Sequence, residues 1–308
     1  MIYDLTIVGG GPAGIAAGVY AARKRLKTLF ITYDFGGQST VSPEIKNWIG
    51  TKSISGNDLA HQLEDHLREY EGENLTITTG RKVKKVEQKE SGFTITDDRG
   101  EVAASRTVLV TAGSYRRKLT VPGAAEFDQK GLTYCASCDG PVFSGQDVVV
   151  IGGGNAGFET AGQLLAYAKS VTLLHHTDKF KADKITVEKL LQNPKMTALT
   201  EADITEVKGD KFVTGITYRD KKTGETKDLS VGGVFVEIGF IPNTDFIKDL
   251  VTTNNFGAIV VDAKNQQSKT LGIWAAGDCT DALYHQNNIA AGDGVKAVED
   301  IYVTLHLK

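Results

Sequence analysis

The sequence predicts an α/β protein of two domains, in which the second domain is inserted into the first. Three observations support this prediction: a repeated glycine-rich segment, strand-like and helix-like stretches that alternate around each copy, and a C-terminal stretch without a counterpart in the second copy. The repeated segments are Ile7–Gly14 and Val150–Gly157.

Each copy of the repeat has the pattern of a βαβ unit. In the first copy, a strand-like run precedes the glycines, a helix is predicted over Ala13–Arg25, and a strand over Thr28–Thr32. The second copy repeats this order with a helix over Ala156–Lys169 and a strand over Val171–His175. Such units require parallel strands with both faces of the sheet covered.

The stretches that follow the two units also correspond. The first copy continues as a hairpin and a strand, and the second as three strands that lead into a fourth. The predicted strands are Lys82–Glu87, Gly92–Thr96 and Thr107–Thr111 in the first copy, and Ile204–Lys208, Val213–Tyr218, Lys227–Ser230 and Val234–Ile238 in the second. The chain from about Phe246 onward must therefore return to complete the first domain.

We expect residues 1–117 and 245–308 to form one discontinuous domain and residues 118–244 to form the inserted domain. The boundaries are predicted near Lys118–Pro122 and Ile241–Thr244, because each of these polar stretches contains a proline.

Composition excludes several classes of function. Lys and Arg total 35 against 38 Asp and Glu, and no basic run follows a helix face, so a nucleic-acid partner is not expected. The apolar runs are of strand length, far shorter than the ~20 residues of a membrane span. Met1 leads almost directly into the Leu5–Val8 run, which leaves no room for a signal segment. We expect a cytoplasmic protein that does not bind membranes.

The glycine-rich segments have the G-x-G-x-x-G spacing of dinucleotide-binding loops, which predicts two Rossmann-like three-layer domains. The motif glycines are Gly9, Gly11 and Gly14 in the first loop and Gly152, Gly154 and Gly157 in the second. Such glycines permit a tight turn, close approach of a pyrophosphate, and close packing of helix on strand, while the helix N-terminus offers unpaired N–H groups. The alternative is that the glycines only mark the turn from strand to helix.

The first loop departs from the usual pattern at one position. An acidic residue is expected where the second strand ends, but this strand ends at Thr32-Tyr33 and Asp34 follows one step late. Asp34 is either a ribose ligand or a solvated turn residue.

The three cysteines are Cys135, Cys138 and Cys279. The first two form a C-x-x-C pair, which can close a small disulfide ring with thiols of lowered pKa. A zinc site would need two further ligands at matching spacing, and only Cys279 remains. We therefore expect no metal, and we expect Cys279 to be a buried packing residue. Asp139 follows the pair directly; it can move a proton to or from a thiol, or it can cap a helix or turn.

Together these residues resemble the low-molecular-weight thioredoxin reductases and the reductase portion of the flavoprotein subunit of alkyl hydroperoxide reductase. The resemblance covers essentially the whole chain. Its most specific elements are the first glycine loop, Gly36-Gly37-Gln38, the segment around Asn47-Trp48, Cys135–Gly140, Gly277-Asp278-Cys279, and the stretch from Gln286 to Gly294.

The resemblance implies that the first domain binds FAD and the inserted domain binds NADH or NADPH. The implied FAD-binding residues are Gly9, Gly11, Pro12, Ala13, Gly14, Gly36, Gly37, Gln38, Asn47, Ala112, Gly113, Gly277, Asp278, His285 and Gln286. The implied nicotinamide-nucleotide residues are Gly152, Gly154, Asn155, Ala156, Gly157, His175, His176 and Lys181. By the same resemblance, Asp278 contacts the ribityl-phosphate region of FAD, and Gln38, Asn47 and Gln286 line the isoalloxazine and its chain.

The segment that selects the nucleotide departs from this family. Its NADPH users carry His-Arg-Arg and a further Arg after the second strand of this domain, and its NADH users carry a glutamate at the strand end. Here the segment reads His175-His176-Thr177-Asp178-Lys179-Phe180-Lys181. A lysine cannot reproduce the bidentate fork of arginine on phosphate, and neutral histidine adds no charge. NADH, weakly bound NADPH, a ferredoxin-like donor, and a histidine pair without any ligand all stay open.

The resemblance implies a flavoenzyme that reduces the disulfide of thioredoxin or a thioredoxin-like protein. Cys138 is expected to face the flavin, Cys135 to attack the partner disulfide, and Asp139 to move the proton. The flavoprotein of hydroperoxide reduction carries a further N-terminal thioredoxin-like module that precedes the FAD loop. Its absence here favours a separate thioredoxin-like partner, and the resemblance further implies a homodimer.

Three other functions are compatible with parts of the sequence. The same dithiol chemistry can serve an NAD(P)H oxidase or a peroxiredoxin system. A ferredoxin:NADP-type flavoprotein has the fold but lacks the dithiol. A nucleotide-binding module without catalysis would leave Cys135, Cys138 and Asp139 without a task.

Overall fold

The computed structural model describes residues 2–42 and 44–307. The chain divides into two compact units: unit 1 comprises Met1–Tyr115 and Phe240–Lys308, and unit 2 comprises Arg116–Gly239. The two unit boundaries thus fall at residues 115/116 and 239/240, a few residues before the boundaries that the prolines suggest.

Strands and helices alternate along most of the chain. The strands are β1 (Ile2–Gly10), β2 (Thr28–Phe35), β3 (Leu75–Thr78), β4 (Val83–Lys89), β5 (Gly92–Asp97), β6 (Val102–Val110), β7 (Ser114–Arg116), β8 (Leu132–Thr133), β9 (Asp147–Ile151), β10 (Ser170–Leu174), β11 (Met196–Leu199), β12 (Ala202–Gly209), β13 (Val213–Asp220), β14 (Thr226–Ser230), β15 (Gly233–Val236), β16 (Phe240–Pro242) and β17 (Ile273–Ala275). The helices are α1 (Pro12–Arg23), α2 (Gly56–Arg68), α3 (Ala136–Asp139), α4 (Asn155–Leu164), α5 (Lys184–Leu191) and α6 (Asn287–His306), with 3₁₀ turns at Gly37–Val41 and Gly140–Phe143.

The main sheet of unit 1 has the strand order β3-β2-β1-β6-β5-β4, and β17 also pairs with β6. Strands β1, β2, β3, β6 and β17 run parallel, whereas β4 and β5 form the antiparallel hairpin predicted from the sequence. Parallel strands of this kind must be buried on both faces.

Both faces of the unit 1 sheet are indeed apolar, because side chains alternate along each strand. On β1, Leu5 and Ile7 pack in one cluster with residues of α1 and α6, and Val8 packs in a second cluster with residues of β5 and β17. Helices α1 and α6 pack closely, since a Cβ at Gly294 would lie 2.2 Å from the Ala13 carbonyl oxygen.

Unit 2 is built as three layers. Its parallel sheet has the order β11-β10-β9-β15-β8, and a separate antiparallel sheet has the order β12-β13-β14. On β9, Val148 and Val150 pack with residues of α4, whereas Val149 and Ile151 pack with residues of the antiparallel sheet. Strand β9 therefore packs against helix α4 on one face and against the antiparallel sheet on the other.

The predicted fold class, two Rossmann-like α/β domains with the second inserted into the first, is confirmed. Individual elements differ at their ends. Helix α4 ends at Leu164 rather than at Lys169, because Ala166 and Tyr167 donate to carbonyls three residues back and form turns there. Across residues 2–42 and 44–307, no helix is both long and apolar enough to span a membrane.

Candidate functional site

Unit 1 contains a cavity of about 710 Å³ at the carboxyl ends of its parallel strands. Ligands of open α/β sheets bind at this edge. The predicted FAD residues that line the cavity are Gly9, Gly11, Pro12, Ala13, Gly37, Gln38, Ala112, Gly113, Gly277 and Asp278. Residues far apart in the sequence thus meet around one cavity.

The glycines of the first loop serve different purposes. A Cβ at Gly9 would lie 2.3 Å from the Thr111 carbonyl oxygen, and a Cβ at Gly14 would lie 1.9 Å from that of Gly9. Both are therefore required by packing. A Cβ at Gly11 would meet no atom within 4 Å, and its φ of −78° is open to any residue. Neither protein packing nor backbone conformation requires glycine at position 11, so this glycine leaves open space for a ligand.

The N-terminus of α1 adjoins this space. Gly11 is its N-cap and makes no side-chain capping bond, and no acidic residue lies in the first turn. The free N–H groups of this turn carry the partial positive charge that attracts phosphate. The first loop therefore fits the pyrophosphate of a dinucleotide.

The remaining predicted FAD residues lie outside the cavity lining. Gly14 supports the loop, and Gly36 has a φ of +88° with Ala60 too close for a side chain. The Asn47 amide donates to Gln286 Oε1 at 3.0 Å, which joins two distant loops. His285 Nδ1 lies 3.3 Å from Asp278 Oδ1 without the geometry of a hydrogen bond.

Sequence reasoning missed several residues of the cavity. They come from β2, from the start of β4 and from the return segment: Tyr33, Arg81, Lys82, Val83, Asn243, Asp245 and Asn287. The Lys82 ammonium lies 4.5 Å from the centre of the Tyr33 ring. The strand β2 runs on to Phe35 rather than ending at Tyr33, so Asp34 lies within it; Asp34 also lines the cavity and is the one sequence signal that pointed toward this part.

The second glycine loop, in unit 2, repeats this design. A Cβ at Gly152 would lie 2.1 Å from the Glu237 carbonyl oxygen, and one at Gly157 would lie 1.8 Å from that of Gly152. A Cβ at Gly154 would again meet nothing within 4 Å. Gly154 is also the uncapped N-cap of α4, which begins at Asn155-Ala156. The second loop therefore offers the same open space for a phosphate-bearing ligand.

His175 supports this second loop from beneath. Its side chain is 4% exposed, its Nδ1 accepts a hydrogen bond from the Gly153 N–H at 3.1 Å, and its Nε2 lies 2.6 Å from Thr177 Oγ1. Burial lowers the pKa of His175, and the nearby His176 lowers it further. Because Nδ1 accepts a hydrogen bond, it carries no hydrogen itself. The ring is therefore neutral, with its hydrogen on Nε2. His175 therefore fixes the position of the loop and adds no charge.

His176 and Lys181 are exposed beside this strand end. The Lys181 N–H donates to the Gly153 carbonyl at 2.8 Å, so its backbone also holds the loop. The His176 carbonyl accepts from Lys221 Nζ at 2.7 Å. Both residues are exposed, unlike the buried His175.

The Cys135–Cys138 pair lies in unit 2 and forms a disulfide, with Cα atoms 5.3 Å apart. Cys135 is the N-cap of the single turn α3, and its sulfur accepts from the Cys138 N–H at 3.2 Å. A sulfur at a helix N-terminus is placed where a thiolate is stabilised. The cysteine that caps the turn is thus the better placed of the two to carry negative charge once the disulfide is reduced.

Asp139 ends α3 and is the acid nearest in sequence to this disulfide. It makes no capping bond with its side chain, although it precedes a 3₁₀ turn. Instead, Thr133 Oγ1 donates to Asp139 Oδ2. Burial raises the pKa of Asp139, against the opposing effects of the Thr133 hydrogen bond and the charge of Arg116. Asp139 therefore keeps a proton to higher pH than an ordinary carboxyl does, which favours its use as a proton donor.

Arg116 also interacts with a second acidic residue, Glu237. Arg116 Nη1 lies 3.5 Å from Glu237 Oε1, which also accepts from Thr160 Oγ1 at 2.9 Å. Burial raises the pKa of Glu237, and Arg116 and Thr160 oppose this rise. The Glu237 backbone adjoins Gly152, so this pair braces the strand that carries the second glycine loop.

The third cysteine, Cys279, is fully buried and free, as predicted. Burial raises the pKa of its thiol to about 12, so it stays protonated near neutral pH. Across the described parts of the chain, no three His, Cys, Asp or Glu side chains come together as a metal site would require.

Comparison with known proteins identifies the class. The family model of the pyridine nucleotide-disulphide oxidoreductases matches residues 3–294, and the chain belongs to this family. Membership implies FAD and a nicotinamide cofactor, in agreement with the open space that the two loops leave at Gly11 and Gly154.

Curated relatives bear two kinds of name. The chain is 41% identical over 295 residues to a Bacillus subtilis protein named NADH dehydrogenase, covering 96% of this chain and 57% of that protein. It is 39% identical over 296 residues to an Escherichia coli protein named as a subunit of alkyl hydroperoxide reductase, with the same coverage. The chain thus spans about 57% of the length of these relatives.

Solved structures of thioredoxin reductases are similar over nearly the whole chain. The enzyme from Giardia duodenalis has a TM-score of 0.92 at 30% identity, covering 99% of both chains. The enzyme from Streptococcus pyogenes has a TM-score of 0.88 at 33% identity, covering 99% of this chain and 98% of the other. The resemblance found in the sequence is therefore confirmed as one of fold and family.

Proposed function

We propose that this chain is a thioredoxin reductase-like flavoenzyme. It passes two electrons from NADH or NADPH, by way of FAD and the Cys135–Cys138 dithiol, to the disulfide of thioredoxin or a thioredoxin-like protein. The observation that carries this proposal is the Cys135–Cys138 disulfide on α3, with the half-buried Asp139 at the end of the same turn. A dithiol so placed is suited to exchange with another disulfide.

The cavity of unit 1 is the proposed FAD site. Gly11 and the free N–H groups of α1 would hold the pyrophosphate, and Gln38 and Asp278 would contact the riboflavin portion. FAD, when bound, supplies two-electron chemistry that connects a nicotinamide hydride to a disulfide. The protein positions it and excludes competing reactions.

The second glycine loop is the proposed nicotinamide-nucleotide site, with Gly154 leaving space for the pyrophosphate. Two features favour NADH as donor. His175 is neutral and engaged inside the protein, and a relative named NADH dehydrogenase is 41% identical. NADPH would have to place its 2′-phosphate against Lys181, without an arginine fork.

In the exchange step, the Cys135 thiolate attacks one sulfur of the acceptor disulfide and forms a mixed disulfide. The other acceptor sulfur leaves as a thiolate and takes a proton from water. Cys138 then gives up its proton, attacks the Cys135 sulfur and releases the acceptor as a dithiol. Two electrons pass to the acceptor and the Cys135–Cys138 disulfide forms again. Asp139 carries the proton between Cys138 and the leaving sulfur.

Similarity to proteins named for alkyl hydroperoxide reduction supports a second candidate acceptor, a peroxiredoxin system. The dithiol chemistry is unchanged in that case, and only the partner differs. A cytoplasmic location and a homodimer stay predictions from the sequence.

The test is a matrix of steady-state rates with two donors and three acceptors. Purified yellow protein is assayed with NADH or NADPH against thioredoxin, a peroxiredoxin and oxygen. Turnover with thioredoxin well above that with oxygen supports the proposal. Turnover with the peroxiredoxin alone would identify the peroxiredoxin system as the acceptor. Turnover with oxygen alone would contradict both candidates.

A further inference from the structure

We propose that Thr133 is a positioning residue of the dithiol site, which holds the Asp139 carboxyl and the Cys135 peptide on a single hydroxyl. This inference rests on the proposed function, because it assigns to Asp139 the proton of thiol–disulfide exchange. It concerns residues of unit 2 alone.

The position of Thr133 is fixed by the sheet. It ends β8, where its backbone pairs in parallel register with Phe235 of β15, and its side chain is 4% exposed. Strand β8 lies at the edge of this sheet and pairs with β15, and a side chain on a paired strand is held more precisely than one on a loop. The hydroxyl therefore has little freedom to move away from the turn that follows.

The Thr133 hydroxyl is used in both directions. It donates to Asp139 Oδ2, and it accepts from the Cys135 N–H at 3.3 Å. Cys135 begins α3 and Asp139 ends it, so one hydroxyl ties together both ends of the turn that carries the disulfide. When the disulfide opens, these two bonds keep the turn in place.

A hydroxyl suits a carboxyl that gains and loses a proton. It donates to the ionised carboxylate, and after rotation it accepts from the protonated acid. A methyl group at this position, which neither donates nor accepts, could serve neither state. Thr133 thus keeps contact with Asp139 throughout the proton transfer.

The Thr133 hydrogen bond also affects the charge state of Asp139. Burial favours the neutral form of Asp139, and the Thr133 hydrogen bond favours the charged form, as does the charge of Arg116. Arg116 is also paired with Glu237 at 3.5 Å, so its charge is shared between two acids. Thr133, by contrast, stabilises the Asp139 carboxylate through a direct hydrogen bond.

The test compares two substitutions at one position. Thr133→Val removes the hydroxyl and keeps the shape of the side chain, whereas Thr133→Ser keeps the hydroxyl. The holoprotein is reduced with dithiothreitol and desalted without oxygen. Its reaction with a small aromatic disulfide is then followed by stopped flow across a range of pH.

We expect Thr133→Val to slow this exchange about tenfold, since a general acid or base that is poorly held loses part of its contribution. The pH inflection that belongs to Asp139 should move upward, because the bond that stabilises the carboxylate is gone. Thr133→Ser should restore the rate to within about twofold and return the inflection to its original position.

A double variant separates positioning from a loss of folding. In an Asp139→Asn background, Thr133→Val should cost nothing more, because both changes act through the same carboxyl. Thermal unfolding of each variant monitors the fold, and the visible absorbance of the flavin monitors the FAD content. An unmoved pH profile in Thr133→Val, equal losses in Val and Ser, or additive losses in the double variant would overturn the proposal.

The same assay distinguishes this inference from the proposed function. If a Cys138→Ser protein reacted as fast and to the same extent as the original chain, the dithiol assignment itself would fail. If the dithiol reacts as expected but Thr133→Val changes neither rate nor pH profile, only the role of Thr133 is wrong.

Discussion

Cys135 and Cys279 lie in surroundings that favour opposite protonation states of a cysteine thiol. The Cys135 sulfur caps a turn and accepts an N–H at 3.2 Å, where a negative charge is favoured. Cys279 is fully buried, and burial raises its thiol pKa to about 12. Reactivity should therefore be confined to the C-x-x-C pair.

Substitution of single cysteines should show this division. Cys138→Ser should lower acceptor reduction about a thousandfold or more, because the mixed disulfide can no longer resolve within the chain. Cys279→Ala, the matched control, should keep turnover within about twofold and lose some stability through a small cavity. Steady-state rates and thermal unfolding measure both effects. A large loss of turnover in Cys279→Ala would contradict the assignment.

His175 gives a prediction about pH and stability. Burial lowers its pKa below the ordinary value of 6.5, so below that value the unfolded chain binds a proton that the folded chain resists. The free energy of unfolding should then fall as pH decreases from 6.5 toward the lowered pKa of the folded state.

A His175→Gln protein should lack this part of the pH dependence, because its amide does not titrate. Urea unfolding at several pH values between about 5 and 7 measures it, with His176→Gln, an exposed neighbour, as control. If His175→Gln kept the full slope, the neutral, loop-supporting role of His175 would be wrong.

At the scale of elements, the two glycine loops separate packing from ligand binding. Gly9, Gly14, Gly152 and Gly157 each face a carbonyl oxygen that a Cβ would strike, whereas Gly11 and Gly154 face open space. The sequence pattern predicts both loops, but only the structure shows which glycines the protein itself requires.

Alanine at the open positions should remove ligands without unfolding the chain. Gly11→Ala should fold and lose FAD, and Gly154→Ala should stay yellow and lose affinity for the nicotinamide nucleotide, about tenfold or more, because a methyl occupies the ligand space. Gly162→Ala is the control on α4, since its Cβ would lie 3.4 Å from Leu190 in ordinary contact. Flavin content and fluorescence titration with NADH measure these effects.

Two outcomes would contradict this account of the loops. Full FAD content in Gly11→Ala would mean that the pyrophosphate does not approach Gly11. Equal loss of nucleotide affinity in Gly154→Ala and Gly162→Ala would point to a general effect of substitution on α4.

The strands and helices of the βαβ units were predictable because their signal is local. Helix α1 begins at Pro12 and ends at Arg23, close to the prediction, since periodic apolar residues and the glycine motif mark it. The end of α4 was predicted less well, because the turns after Leu164 carry no Gly or Pro to mark them. Element ends depend on such turns more than on periodicity.

At the scale of the molecule, the repeat and the unpaired C-terminal stretch were enough to predict the inserted arrangement. The lining of the cavity was predictable only in part. Lys82 and Asp245 reach it through long-range closure of the chain, and neither stands in a local motif. Contacts such as Asn47 with Gln286 likewise join positions that no short pattern connects.

In the proposed function, electrons that enter from a nicotinamide nucleotide leave through the Cys135–Cys138 pair. The sequence pattern predicts the ends of this route through two glycine loops and one C-x-x-C, and the structure shows that Asp139, the proposed proton carrier, is half-buried with a raised pKa because of that burial.

The most direct test of this claim is an anaerobic titration of the yellow protein with NADH and, separately, with NADPH, followed by a count of free thiols after acid quench. The account predicts that one of these donors bleaches the flavin absorbance and that the Cys135–Cys138 disulfide becomes a pair of thiols. The Cys138→Ser protein should bleach without releasing this pair. Bleaching of the original chain with the disulfide left intact would contradict the account.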